Sequence, residues 1–306
     1  MIINELIKEL IGPITATIAS YVKDEYHTLQ YEDNMIKLLE SNYKSRSHIK
    51  NILHNSSPVS FKDIYCPLKI KAYSSSFEKD YKPFAVNSVS ELLGEFSNVA
   101  IFGNAGSGKS TLVNFLFLNA VETCYKYPIL ITLRQLNETD ITLVDYLKQQ
   151  TLGCKDIEGA YDLFITLLGE GHFLFFFDGY DEITPAKQYN IASQMKELMK
   201  QYPKNKYVLT SRPLEQLYAL DSFHNFLVQP LSAEERNVFI RRQFVKERQE
   251  FAERIIKKIS ANPKDPYSEI LNTPLLVILC ILNFQLNSDL PIRKSEFYSR
   301  IFDALF

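Results

Sequence analysis

The spacing of apolar residues changes twice along this chain. From Met1 to about residue 57 it mixes steps of three and four, as in Tyr31, Met35, Ile36, Leu38, Leu39 and Tyr43, and so predicts helices. No glycine follows Gly12-Pro13 in this stretch, and turn formers gather at Asn55-Ser56-Ser57-Pro58, where a boundary is expected. From Phe61 to about Pro230, short apolar runs alternate with helical segments, the pattern of a parallel sheet joined by crossover helices. Strands are expected over Ile64 to Ile70, Asn98 to Phe102, Pro128 to Leu133, Phe173 to Phe177, Tyr207 to Thr210 and Phe226 to Val228. Helices are expected over Ser88 to Phe96, Ser110 to Val121, Thr142 to Gln149, Glu158 to Leu168 and Ala186 to Gln201. The unbroken run Phe173-Leu174-Phe175-Phe176-Phe177 suits a central strand covered on both faces.

After Leu231 the strand pattern stops. Ser232-Ala233-Glu234-Glu235 reads as an N-cap followed by acids in a first helical turn, and the helical spacing is expected to continue from Arg236 to Lys258. A second helix should run from about Tyr267 to Phe284, and a third should begin near Arg293. Ser295 to Phe306 is an amphipathic segment with Phe297, Tyr298, Ile301, Phe302, Leu305 and Phe306 apolar and no stop signal, so the chain is expected to end inside a domain, as a truncated piece.

Composition narrows the classes of function. With 306 residues, 46% of them apolar and 23% charged, the chain can bury a substantial core in an ordinary soluble protein. A net charge of −2 offers no bulk attraction to nucleic acid or a membrane surface. Cys66, Cys124, Cys154 and Cys280 lie far apart with no C-x-x-C pair, which suggests neither a zinc site nor a disulfide framework and fits a reducing cytoplasm. The N-terminus carries Glu5 and Glu9 among its apolar residues, unlike a signal peptide. The longest apolar run, the nine residues Pro274 to Leu282, is about half a bilayer span and should be a buried helix. The basic stretch Lys44, Arg46, His48 and Lys50 reads as a solvated helix face, with contact to an acidic partner or nucleic acid as the alternative. The basic residues Arg241, Arg242, Lys246, Arg248, Arg254, Lys257 and Lys258 are interspersed with Glu247, Glu250 and Glu253, so nucleic acid is not expected as a partner.

Chemistry enters at Gly103-Asn104-Ala105-Gly106-Ser107-Gly108-Lys109-Ser110-Thr111, which completes G-x-x-x-x-G-K-S/T between an expected strand and an expected helix. Backbone N–H groups of such a loop surround a phosphate, the helix N-terminus adds positive potential, Lys109 neutralises the terminal phosphates and Ser110 offers a hydroxyl to Mg²⁺. A metal of that kind needs a second hard oxygen ligand, and Asp178 at the end of the Phe173 to Phe177 run supplies it. Asp181 and Glu182 follow within four positions, and acids crowded at a strand end repel unless a cation or a task holds them, so one is expected to activate water. Thr210-Ser211-Arg212-Pro213 ends another strand and would place a guanidinium at the same sheet edge, facing the γ-phosphate.

These motifs, taken in order, resemble the NACHT branch of the STAND class of P-loop NTPases, the regulated ATPases of innate immunity and bacterial anti-phage defence. The resemblance covers about residues 58 to 306 and rests on Gly103 to Thr111, on Phe173 to Glu182 with a glycine behind the metal aspartate, and on Thr210 to Pro213. It implies an α/β fold, the three-layer α/β/α parallel sheet of a NACHT/AAA-like P-loop NTPase, with a helical N-terminal region and an all-helical domain after the core. The divisions expected are a helical region at 1–57, a nucleotide-binding domain at 58–230, a helical domain at 231–287 and the start of a winged-helix domain at 288–306. By position the family pattern implies Lys109 and Ser110 at phosphate and Mg²⁺, Asp178 at the metal, Glu182 with Asp181 activating water, and Arg212 as γ-phosphate sensor. Asn272-Thr273-Pro274-Leu275-Leu276 is similar to the segment whose proline packs beside adenine, although a proline in a first helical turn explains itself.

The resemblance further implies ATP/ADP and Mg²⁺ as ligands, self-association in the ATP state, slow hydrolysis that resets the switch, and an unidentified trigger, phage-derived if the bacterial branch applies. The histidine that holds ADP in the family's winged helix would lie beyond Phe306, and no sensor or effector segment is recognisable. A constitutive remodelling ATPase and a nucleotide-dependent scaffold without turnover stay open as alternatives. So does the role of residues 1–57, which would be an effector, an adaptor-binding module or a lead-in to the core.

Overall fold

The computed structural model describes residues 2–22, 25–50, 53, 58–73, 82–153, 159–213, 222–244, 248–260, 270–287, 295–297 and 299–300. In chain order the elements are α1 (Ile2–Tyr21), α2 (Glu25–Ser47), β1 (His48–Lys50), β2 (Pro58–Ser60), α3 (Phe61–Ile64), β3 (Lys69–Ala72), β4 (Phe84–Ala85), α4 (Val89–Glu95), β5 (Asn98–Phe102) and α5 (Lys109–Glu122). They continue as β6 (Tyr127–Thr132), α6 (Leu143–Leu152), α7 (Ala160–Glu170), β7 (Phe173–Asp178), α8 (Pro185–Gln201), β8 (Lys206–Ser211), β9 (His224–Val228), α9 (Ala233–Arg242), α10 (Gln249–Ser260) and α11 (Pro274–Asn287). The residues form two compact units, one of Met1–Arg46, Ile70–Gly103 and Lys109–Leu227, the other of Ser47–Lys69, Asn104–Gly108 and Val228–Phe306.

The first unit is built on a sheet of strand order β4-β3-β9-β5-β8-β7-β6, in which β9, β5, β8, β7 and β6 are parallel. Right-handed crossovers place α5 on one face and α8 on the other, which makes three layers. This is the fold expected from the alternating pattern. Phe173 to Phe177 are all fully buried, as a central strand covered twice requires. On one face Phe175 stacks on Tyr207 of β8 with ring centroids 5.4 Å apart, and on the other Phe176 meets Phe117 of α5 at 6.5 Å. Because β8 lies between β5 and β7, the C-terminal ends of these three strands stand side by side.

The two N-terminal helices belong to this unit. Ile7, Ile11, Ile14 and Ile18 form the buried stripe of α1, which packs against α5 and α7. The α2 helix covers the outer flank of β6, where the Tyr127 hydroxyl donates to the Met35 carbonyl at 2.9 Å. Its Tyr43 hydroxyl donates to Glu122 of α5 at 2.7 Å. A terminal strand left bare would present unpaired backbone groups, and α2 covers it.

One buried asparagine joins three segments beneath the central strands. Asn205 is fully buried, accepts from the Phe173 N–H at 3.0 Å and donates to the Leu168 carbonyl at 2.8 Å. Asn205→Ala leaves both groups buried without a partner, so an unfolding free energy lower by about 2–3 kcal/mol is expected. Urea titration reads this as an earlier midpoint with an unchanged slope.

The second unit is helical. Its α9, α10 and α11 enclose a core of Ile240, Phe244, Ile255, Ile259, Val277, Cys280 and Ile281. The expected N-cap is present: Ser232 Oγ accepts from the Glu235 N–H at 3.2 Å and Glu235 accepts in return from the Ser232 N–H at 2.8 Å. The helical run expected from Arg236 to Lys258 is broken into α9 and α10. The Gln249 amide donates to the carbonyls of Arg241 and Phe244, satisfying groups that a continued helix would have used. Folding back lets Phe244 pack edge-on against Phe251, their centroids 5.5 Å apart.

The strand expected over Ile64 to Ile70 begins only at Lys69, because Phe61 to Ile64 form a helical turn that stacks Phe61 on Tyr65 at 5.2 Å and Pro67 offers no N–H to a ladder. The helix expected from Tyr267 starts at Pro274, with residues 261–269 outside the described set. Of the third helix, 295–297 and 299–300 are helical and 301–306 lie outside that set. Among the described residues, no helix is long and apolar enough to cross a membrane.

Candidate functional site

The chain leaves β5 at Phe102 and enters α5 at Lys109, with the glycine loop between. Gly106 and Gly108 have φ of +74° and +92°, a left-handed region that side chains rarely adopt. Consecutive amides turned in this way form a concave, anion-accepting nest. Within the second unit the loop is closely packed: the Leu275 N–H donates to the Gly106 carbonyl at 3.3 Å, and a Cβ on Gly106 would lie 2.7 Å from Leu275 Cβ. A Cβ on Gly108 would lie 3.5 Å from Pro274 Cγ, so the structure brings Pro274 to the loop. Ser107 is buried and, among the described residues, its Oγ has no hydrogen-bond partner, whereas Asn104, Ala105, Ser110 and Thr111 are exposed.

In the first unit the strand ends gather the charged residues. Gly103 closes β5 by donating its N–H to the Ser211 carbonyl at 3.2 Å, and its own carbonyl accepts from Lys109 Nζ at 2.6 Å. Burial holds the Lys109 ammonium below the usual lysine range. Asp181, Asp178 and Glu182 push it back up and Arg212 lowers it further, so all four charges reach this one group.

Asp178 and Asp181 are both held by β8. The Thr210 hydroxyl donates to Asp178 and accepts from the Gly179 N–H at 3.0 Å. Asp181 accepts from the Arg212 backbone N–H at 2.8 Å and pairs with the Arg212 guanidinium at 3.0 Å. Glu182 is left exposed on a turn of Tyr180 to Glu182 that opens with Gly179 at φ +79°. Asn137 pins that turn, donating to the Glu182 carbonyl and accepting from the Thr184 N–H, both at 2.9 Å.

Two of these residues escaped sequence reasoning. Thr210 was legible only as part of a strand-end motif, without its grip on Asp178, and Asn137 in a polar loop carries no signal at all. Three of the basic residues in this stretch are engaged within the second unit: Arg241 pairs with Glu253 at 2.6 Å, Arg242 donates to the Tyr65 carbonyl, and Arg248, just before α10, lies over Phe244 and Phe251.

The donor set fits a nucleotide with Mg²⁺. Among the described residues, no group of three or more His, Cys, Asp or Glu side chains could hold a metal by itself. Ser110 and Asp178 offer two hard oxygens, and Mg²⁺ characteristically completes such a pair with phosphate and water. Taken within the second unit, the left-handed Gly106 and Gly108 and the buried Ser107 hydroxyl, without a hydrogen-bond partner among the described residues, offer polarity suited to an anion.

A family model matches the chain over residues 97–247, that of the NACHT domain. The chain carries a NACHT domain. The match runs from the start of β5 past α9, so it takes in the glycine loop, Asp178 to Glu182 and Arg212, and stops short of Pro274. NACHT domains are P-loop NTPases, and nucleotide binding with NTPase activity in general comes with the family.

Among solved structures, a Walker-type ATPase of Pyrococcus abyssi is 18% identical with a TM-score of 0.45, over 71% of this chain and 69% of that one. A signal transduction ATPase with numerous domains and a tetratricopeptide-repeat sensor, from Pyrococcus horikoshii, is 16% identical with a TM-score of 0.41 over 71% of this chain. The match covers only 32% of that protein. Domain III of the replication initiation protein DnaA from Thermotoga maritima is 14% identical with a TM-score of 0.40, over 70% of this chain and 87% of that one. No curated protein matches the sequence.

The clasp on Asp178 is testable by itself. Thr210→Val keeps the side-chain volume but leaves the Gly179 N–H without its acceptor and Asp178 without its donor. A stability loss of about 1–3 kcal/mol is expected. Thermal unfolding reads this as a lower Tm, and nucleotide titration should show a higher Mg²⁺ requirement than in the parent protein.

Proposed function

We propose that this chain is the nucleotide-operated part of a signalling switch, one that binds ADP or ATP with Mg²⁺, hydrolyses ATP slowly and self-associates in the ATP-bound form. What supports the reading above all is the meeting of Lys109 with Asp178, Asp181, Glu182 and Arg212 at the ends of parallel strands inside a NACHT domain. Three carboxylates and two cations at one sheet edge are a costly arrangement for stability alone.

The roles are those of the family pattern, and the setting of each group supports them. Lys109, withdrawn from water, neutralises phosphate charge at close range. Ser110 and Asp178 hold Mg²⁺, which when bound neutralises the phosphates and orients them for in-line attack. Glu182, exposed and not clasped by β8, takes the proton of the attacking water. Asp181 acts one step back, setting the direction of Arg212. The Arg212 guanidinium, 60% exposed, then contacts the γ-phosphate of ATP and lacks that contact with ADP. Such a differential contact is what lets one nucleotide favour one conformation over another. Pro274, at the glycine loop and first in α11, is assigned to the adenine side. The setting in innate immunity or anti-phage defence and the unidentified trigger come from the family resemblance, and the cytoplasmic location from the four scattered cysteines.

Single-turnover and steady-state hydrolysis on the full chain test this. A measurable single turnover with steady-state rates far below the roughly 10 per second typical of enzymes is expected. Rapid trigger-independent turnover would make the protein a remodelling ATPase, and an absent single turnover would make it a scaffold.

A further inference from the structure

The C-terminal turn of α2 contradicts the solvated face expected of its basic residues. Lys44 is exposed, but Arg46 is half-buried, with its guanidinium 5.2 Å from the centroid of the Phe117 ring. Its carbonyl accepts from the Asn114 amide at 3.2 Å, so the end of α2 is tied to α5. Ser110, Asn114 and Phe117 lie on one face of α5 at steps of four and three, and Ser110 is the hydroxyl assigned to the metal.

Phe117 packs on Phe176 of β7 at 6.5 Å, and Phe176 and Asp178 alternate onto the same face of that strand. Arg46 therefore stands on the side of the sheet toward which Asp178 points. The Asp178 charge acts on the guanidinium, opposing the lowering that burial causes. Among the described residues, Arg46 Nε is buried without a hydrogen-bond partner. A planar guanidinium stacked on an aromatic ring, with a buried donor unspent, is suited to receiving a phosphate or carboxylate oxygen.

Charge balance points the same way. Asp178, Asp181 and Glu182 outnumber Lys109 and Arg212, and an incoming Mg²⁺-ATP brings further net negative charge. One more cation at Asp178 evens the site before binding and stabilises it after.

We propose that Arg46 is the third cation of the phosphate and metal site, contributed by the helical region that precedes the NACHT domain. The α2 helix would then be part of the nucleotide-binding unit, and a chain begun at the NACHT boundary would bind Mg²⁺-ATP more weakly. The proposal rests on the site assignment made above.

The test compares Arg46→Gln with Arg46→Lys in the full chain, since both keep a long stem over Phe117 and only the second keeps the charge. Titration with a fluorescent ATP analogue in excess Mg²⁺ is expected to show about tenfold weaker binding for Arg46→Gln, the scale of one charge-assisted hydrogen bond, and affinity within about threefold of the parent for Arg46→Lys. Wild-type affinity in Arg46→Gln, or equal losses in both variants, would overturn the proposal. A parent protein that itself fails to bind the analogue would overturn the site assignment instead.

Discussion

Lys109→Ala is expected to abolish nucleotide binding, with affinity for ATP and ADP falling about 100-fold or more. The ammonium group is the one cation that the chain delivers directly from the glycine loop. It is held at 2.6 Å on the Gly103 carbonyl and withdrawn from water, so the phosphate contact it makes forgoes little hydration. Each hydrogen bond from such a charge to a phosphate oxygen contributes about 1.5–3 kcal/mol, and Nζ has three donors. Removing two such hydrogen bonds lowers affinity by roughly two to four decades. The folded state should tolerate the change, because removal of a half-buried charge relieves desolvation as it breaks the bond to the Gly103 carbonyl. Circular dichroism and Tm close to the parent values would show that the loss is local. Isothermal titration with each nucleotide measures the effect, and unchanged ATP affinity would sink the assignment of the loop.

Glu182→Gln should separate binding from chemistry. Positioned general bases contribute about 10²- to 10⁴-fold to rate, and a loss of that size in single-turnover hydrolysis is expected. Nucleotide affinity should hold or improve slightly, since one of three carboxylates near the phosphates is neutralised. The residue can be changed with little structural cost: its side chain is exposed, and Asn137 holds only its backbone carbonyl. Gly179 has the matching role in the backbone. A Cβ there would lie 3.2 Å from Glu182 Cδ at a φ of +79°, so glycine lets the chain reverse and keep the carboxyl close behind Asp178. Hydrolysis at the parent rate in Glu182→Gln would shift the base to another group. Asp181 is the less suitable one, being committed to Arg212 through two contacts.

The elements that carry the chemistry were legible in the sequence because local pattern and local function coincide there. The Asn98 to Phe102 run, the glycine loop and the α5 segment announce themselves in order, and Phe173 to Phe177 can hardly be anything but a buried strand. Strand order was not legible. That β8 lies between β5 and β7, and so sets Thr210 on Asp178 and Arg212 on Asp181, depends on pairing partners some 30 residues away in sequence. The break between α9 and α10 was hidden because its capping group, the Gln249 side chain, looks like any polar helix residue until the carbonyls of Arg241 and Phe244 meet it. Arg46 was hidden for the opposite reason: its neighbours Lys44 and Lys50 are exposed and share its type, and only packing on Phe117 sets it apart. Residues bound by long-range contacts are invisible to periodicity, and in this protein they arrange the charges around residues that the motifs had already named.

The central claim is that ATP and ADP hold this protein in different states. Sedimentation velocity of full-chain Glu182→Gln, saturated in turn with Mg²⁺-ADP and Mg²⁺-ATP, tests it most directly, because bound ATP then persists through the run. A monomer with ADP and a faster, concentration-dependent species with ATP is the predicted result. The same sedimentation coefficient with both nucleotides, at concentrations where both are shown to be bound, would contradict the account.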